Sequence, residues 1–260
     1  MSAVAAQPPQ TRHPEDVLLS TTGLRRAFGG LVAVRDVDFR LVRGEIRAII
    51  GPNGAGKTTL VSMISGRIAP SAGRIVFDGH DITATRAHRR VALGIVYTFQ
   101  LISVLRTLTV FENVALAVQR RLLRGPGDIV RLRASALAGP VREALETVGL
   151  HEAWDQPAGA LPYGHQRLLE IAMALALHPR LLILDEPTQG LAPDEIDGLV
   201  ALVRRIARTS TVLLIEHNVR VVLDLAQRIT VMDQGRIIAE GTPAEVEADP
   251  TVQRVYLGTR

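Results

Sequence analysis

The chain has 260 residues, 47% hydrophobic and 22% charged, with no cysteine and a net charge of +4. This length and balance suit one large α/β domain with an inserted subdomain, and exclude wholesale disorder and low-complexity architecture. The lack of cysteine excludes a disulfide scaffold, thiolate metal sites and a cysteine nucleophile, while the mild charge reads as a solvated surface.

The first sixteen residues, rich in Ala, Pro and Gln, read as a disordered tail without the charged and apolar segments of a secretory signal. Alternation from Val17 to Leu41 around Gly29-Gly30 predicts antiparallel strands joined by a turn. Glu45–Ile50 reads as a buried strand, followed by a glycine-rich loop and a helix through Leu60, Met63 and Ile64. Strands are expected at 73–77 and 94–99. From about 101 to 165 the pattern turns helical and arginine-rich, and Thr109-x-x-Glu112 predicts a capping box that opens a helix toward Arg120. Residues 121–138 read as a loop followed by a helix. Leu181–Leu184 and Thr211–Ile215 are apolar enough for parallel strands covered on both faces, with a helix at about 194–207 between them. A hairpin over 229–240 and a short acidic helix at 243–247 follow. No run of about eighteen apolar residues occurs, so membrane association is expected only through a partner.

Gly51-Pro52-Asn53-Gly54-Ala55-Gly56-Lys57-Thr58 fits G-x-x-x-x-G-K-[ST] at each fixed position. Glycines let backbone N–H groups converge on phosphate oxygens, and the helix that follows adds the positive end of its dipole. Lys57 is the single lysine of the chain; every other basic side chain among the 30 is arginine. A composition that uses arginine for generic positive charge keeps its one ammonium where a compact point charge is needed, on the β- and γ-phosphates. Thr58 offers a hydroxyl to Mg²⁺.

Four apolar residues lead into Asp185-Glu186. Asp185 is placed to hold Mg²⁺ through its water shell, and Glu186 to polarise an attacking water as general base. Together the two motifs specify a P-loop NTPase. His217 ends a second apolar strand and reads either as a γ-phosphate sensor or as a helix cap. Gln100 reads as a Mg²⁺ or water ligand, or as a polar strand end.

These elements, in this order and spacing, resemble the ATP-binding cassette of ABC transporters from about residue 17 to 258. The resemblance implies a single RecA-like α/β domain with an antiparallel β subdomain and a helical subdomain inserted at about 101–165. It implies that Phe28 stacks on adenine and that Gly51–Thr59, Thr59 included, forms the phosphate loop. Gln100 takes the place of the glutamine entering the helical subdomain, and His217 that of the switch histidine. Leu161, Pro162, Tyr163, Gly164 and His165, followed by Gln166, take the place of the signature that caps ATP held by a second cassette. Gln189–Ala192 matches the dimer-contact loop.

Phe28-Gly-Gly-Leu31, Thr98-Phe-Gln100, Leu161–Gly164 and the closing Val255-Tyr-Leu-Gly258 are similar to the longer cassette of branched-chain amino-acid importers. That similarity implies ATP and Mg²⁺ as cofactors and a second cassette, alike or different, as partner. It also implies two polytopic permease subunits, indirectly a solute-binding protein, and a peripheral place on the cytoplasmic face of the inner membrane. The chain departs from the pattern at Pro162 (usually serine), His165 (usually glutamine), Ala192 (usually Asp or Asn) and Tyr97 (often arginine in the subgroup). Two alternatives share the same motifs: lipid or lipopolysaccharide export, and a soluble ATPase acting on ribosomes or nucleic acid. The second is disfavoured by the absence of a heptad run and of a basic cluster with interleaved aromatics.

Overall fold

The computed structural model describes residues 16–98, 103–123 and 135–256. Gln100 and Leu101 lie outside the described residues, as does most of the arginine-bearing segment between α3 and α4 below. In chain order the elements begin with β1 (Val17–Phe28), β2 (Leu31–Val42) and β3 (Ile46–Ile50), then α1 (Lys57–Ile64). Next come β4 (Ala72–Phe77), β5 (His80–Asp81), α2 (Ala87–Ala92) and β6 (Ile95–Thr98). Helices α3 (Val110–Leu122), α4 (Ser135–Val148) and α5 (Tyr163–Leu175) lead to β7 (Leu181–Asp185), α6 (Pro193–Ile206) and β8 (Thr211–Ile215). The described chain ends with α7 (Val219–Leu225), the hairpin β9 (Arg228–Asp233) and β10 (Arg236–Gly241), then α8 (Pro243–Ala248) and α9 (Pro250–Tyr256).

Two sheets result. One is antiparallel in the order β2-β1-β4-β5; the other runs β10-β9-β3-β8-β7-β6, parallel throughout except where β10 turns back on β9. The neighbours β3, β8 and β7 are buried at every residue, which explains why they lack polar alternation: both faces are covered. Successive side chains of β7 divide between two cores, because strand side chains alternate faces. Leu182 and Leu184 join Val110, Val114 and Leu145 of the helical layer. Leu181 and Ile183 join Leu60, Met63, Phe39 and Phe77 under the antiparallel sheet. Truncating such a side chain to alanine costs about 2–5 kcal/mol.

The expected capping box at α3 forms in full. Glu112 N–H donates to Thr109 Oγ1 at 3.1 Å and Thr109 N–H donates to Glu112 Oε2 at 2.7 Å. Phe111 stacks on Trp154 with ring centroids 4.6 Å apart, so it belongs to the subdomain core, whereas Leu105 is exposed. Helix α5 ends at Leu175, shortly before His178 adopts a positive φ of 53° and Pro179 follows. The short elements α2, α7 and α9 carry too few turns for a periodic signal and were not foreseen.

What matters for function is the order β3-β8-β7. In a parallel sheet the C-terminal ends of neighbouring strands open on one edge, and ligands bind there. Ile49 of β3 and Asp185 of β7 both pair with Ile215 of β8. The loops leaving these three strands therefore carry Gly51–Thr59, Asp185-Glu186 and His217 to one place.

Candidate nucleotide site

The loop after β3 folds over the start of α1. Gly56 is the N-cap of α1, at φ 98°, and gives no side-chain cap. A Cβ on Gly56 would sit 2.4 Å from the carbonyl oxygen of Ala33, so the backbone can pass only as glycine. By contrast, α3 and α8 begin with threonine capping boxes. A helix start left without a side-chain acceptor keeps its N–H groups and positive dipole end for an anion. Lys57 is buried, with Nζ donating to the carbonyls of Gly51 (2.6 Å) and Pro52 (3.0 Å). Burial lowers its pKa, opposed by the negative charges of Glu186 and Asp185.

Asp185 closes β7 with its side chain buried. Burial raises its pKa, while a hydrogen bond from Tyr97 acts the other way. Tyr97 Oη donates to Asp185 Oδ2 at 2.5 Å, and the Arg67 guanidinium lies 4.8 Å from the Tyr97 ring centroid. Glu186 takes the left-handed conformation, φ 48°, an uncommon one for a residue with a Cβ and one that recurs at functional sites. Its N–H donates to Ile215 O at 2.8 Å. Its Oε1 lies 2.9 Å from Nε2 of His217, a hydrogen bond in which the imidazole gives the proton.

A cleft of about 380 Å³ brings Phe28, Asn53, Gly54, Ala55, Gly56, Lys57, Thr58 and Thr59 together with Glu186 and His217, and adds Leu31 and Ala33. Phe28 is 44% exposed at its rim, with the Arg26 guanidinium 4.5 Å from its ring centroid. Leu161, Pro162, Tyr163, Gly164 and His165 do not line this cleft. Leu161 is a core side chain, so only its backbone is available to a ligand. Pro162 is the N-cap of α5 and supplies no side-chain cap, so α5 starts as α1 does. A larger cleft of about 430 Å³ lies between α5 and α6 and contains none of the phosphate-loop residues.

Three further residues support the site from outside its motifs. Tyr97, a departure from the family pattern, holds Asp185. Arg90, fully buried, donates to the carbonyls of Met63 and Ile64 at the end of α1 and to those of Ile82, Thr83 and Thr85. Glu216 is buried between the loops of Glu186 and His217. Its signal was present, as an acid directly after five apolar or small residues of β8, but it stood beside a more familiar histidine.

Residues 34–189 match the family model described as ABC transporter, and residues 236–260 match that described as branched-chain amino acid ATP-binding cassette transporter. The chain is 39% identical to the high-affinity branched-chain amino acid transport ATP-binding proteins BraF of Pseudomonas aeruginosa and LivG of Escherichia coli. Each comparison covers 93% of this chain and 98% of the relative. It is 36% identical to the lipopolysaccharide export system ATP-binding protein LptB of Acidithiobacillus ferridurans, over 93% of this chain and 97% of the relative. A crystal structure of an ATP-binding cassette of an ABC transporter, in its ADP conformation, superposes with a TM-score of 0.82 at 30% identity. That superposition covers 94% of this chain and 99% of the other. The chain belongs to the ABC transporter family, as a nucleotide-binding cassette whose ATPase activity is coupled to transport.

Proposed function

We propose that this chain is the motor subunit of an importer for branched-chain amino acids or related amino acids and amides. The observation that carries the catalytic part is the meeting of Lys57, Glu186 and His217 in one cleft at the ends of adjacent parallel strands. The N–H groups of Gly51–Thr59 and the start of α1 cradle the phosphates, Lys57 neutralises the β- and γ-oxygens, and Phe28 stacks on adenine. Glu186 takes a proton from the attacking water, and His217 orients Glu186 and the γ-phosphate.

Mg²⁺ fits the residues present. Among the described residues no group of three or more His, Cys, Asp or Glu forms a cage, and Mg²⁺ characteristically uses one or two protein oxygens plus substrate phosphates. Thr58 and Asp185 would supply those oxygens, with Gln100 as a third candidate outside the described residues. When bound, the ion offsets charge that develops on the phosphates.

The reading includes a single cassette over 17–258, with its helical subdomain at about 101–165. In a head-to-tail pair, the uncapped start of α5 and the backbone of Leu161–His165 complete the site of the partner cassette. ATP then closes the pair and hydrolysis opens it. The partners are a second cassette, two polytopic permease subunits and, through them, a solute-binding protein. Among the described residues no helix is long and apolar enough to cross a membrane. In this proposal the chain attaches peripherally, at the cytoplasmic face of the inner membrane, through those subunits. The match over 236–260 favours import. The lipopolysaccharide-export relative supports the second reading, in which the same motor drives an exporter.

Co-purification separates the two. Tagged Glu186→Gln, solubilised from host membranes with ATP, is expected to carry two polytopic proteins and a shorter cassette. Lipopolysaccharide-export subunits among its companions would select the second reading, and ribosomal or DNA-processing companions would contradict both.

A further inference from the structure

Glu216 follows the last residue of β8 and is 2% exposed. Both carboxylate oxygens are engaged, each by a different loop. Oε1 accepts from Thr188 N–H at 3.0 Å and from Thr188 Oγ1 at 2.6 Å. Oε2 accepts from His217 N–H at 3.0 Å and Asn218 N–H at 3.2 Å. All four partners are neutral donors, two of them on either side of a planar anion. Hydrogen bonds to a buried charge are among the stronger ones and are costly to leave unmade.

These contacts close a ring. Thr188 is two residues beyond Glu186, Glu216 joins Thr188 to the backbone of His217, and the His217 imidazole returns to Glu186 Oε1 at 2.9 Å. The Glu186 N–H to Ile215 O bond anchors the ring to β8. A shift of the segment 188–192 by a partner surface therefore moves the Glu216 carboxylate, and with it the backbone that carries His217.

We propose that Glu216 is a positioning residue that couples the loop after Glu186 to His217. It touches no reacting atom. This rests on the reading of Glu186 and His217 as the hydrolytic pair. Glutamine at this position must present an NH₂ group to one of the two donor pairs, so one side of the bridge opens while side-chain volume is kept.

The test uses the full-length chain. Glu216→Gln is expected to lower kcat for ATP hydrolysis at least tenfold, with KM for ATP within twofold. Combined with His217→Ala, it is expected to slow the reaction by no more than twofold beyond His217→Ala alone, because it acts through that residue. Multiplicative losses, or wild-type kcat for Glu216→Gln, would overturn the proposal. Thr188→Val keeps the backbone donor and removes only the hydroxyl, so it serves where Glu216→Gln does not fold. It is expected to speed amide exchange at His217 and Asn218, and unchanged exchange there would overturn the coupling. Wild-type hydrolysis by Glu186→Gln or His217→Ala would instead remove the reading beneath it, which keeps the two failures distinct.

Discussion

The phenol of Tyr97 donates to Asp185 Oδ2 at 2.5 Å, so one of the two oxygens of the acid that ends β7 is held from the neighbouring strand. Burial, and then Asp185 itself, raise the pKa of that phenol, and it stays a donor throughout the physiological range. Tyr97→Phe keeps the ring beside Arg67 and deletes the hydroxyl, which meets both Asp185 and the Arg67 side chain. It is expected to raise the Mg²⁺ concentration needed for half-maximal hydrolysis several-fold, while binding of ATP without Mg²⁺ is unchanged. An unaltered Mg²⁺ dependence would show that Asp185 needs no such support.

Phe28 stands at the rim of the cleft, partly exposed, with the Arg26 guanidinium over its ring. Phe28→Ala is expected to weaken ATP binding by about 1 kcal/mol, roughly fivefold, with little effect on kcat. Titration with a fluorescent ATP analogue measures this, and unchanged affinity would contradict adenine stacking.

Arg90 holds five backbone carbonyls with one guanidinium, and burial lowers its pKa to about 10. Lysine has three donors on a single nitrogen and cannot reproduce the fork. Arg90→Lys is expected to cost about 2–4 kcal/mol, the price of leaving buried carbonyls unpaired. Two of those carbonyls end α1, so the loss in urea midpoint should come with weaker ATP binding. A variant of wild-type stability would contradict the assignment.

Two capping boxes give the fold a predictable acid response. The Thr109 amide and then its hydroxyl hold Glu112 below its usual pKa, and Thr242 does the same for Glu245. A carboxylate with a depressed folded pKa contributes stability above its unfolded value of 4.5, and this is lost as pH falls through the folded value. The Tm gap between wild type and the double variant Glu112→Gln/Glu245→Gln is expected at pH 7 and should close as the pH falls through the lowered pKa of the two carboxyls. A gap that persists in acid would mean that charge is not the source. Thr109→Ala, which removes the cap itself, should cost about 1 kcal/mol.

Much of this was legible in the sequence because the chemistry is local. The phosphate loop needs its glycines in succession, Asp185 and Glu186 are adjacent, and Thr109 and Glu112 cap within one turn. The buried parallel strands announced themselves as unbroken apolar runs. What stayed hidden is set by contacts far apart in the chain. Tyr97 meets Asp185 across the β6-β7 pairing, Arg90 reaches back to the end of α1, and Glu216 reaches Thr188 in the loop after β7. Nothing in local spacing records these partners. Leu161 is a different case: its side chain fills the core of the helical layer, which leaves the backbone as the part of it open to a ligand.

The central claim is that the cleft of Lys57, Glu186 and His217 hydrolyses ATP between two paired cassettes. The measurement that meets it most directly is light scattering of purified Glu186→Gln with ATP and Mg²⁺, run beside a phosphate-release assay. The account predicts a nucleotide-trapped pair of cassettes, formed with a second copy or with the shorter cassette when that is added, dissociating when ATP is removed and releasing no phosphate. A monomer that hydrolyses ATP at the wild-type rate would contradict it.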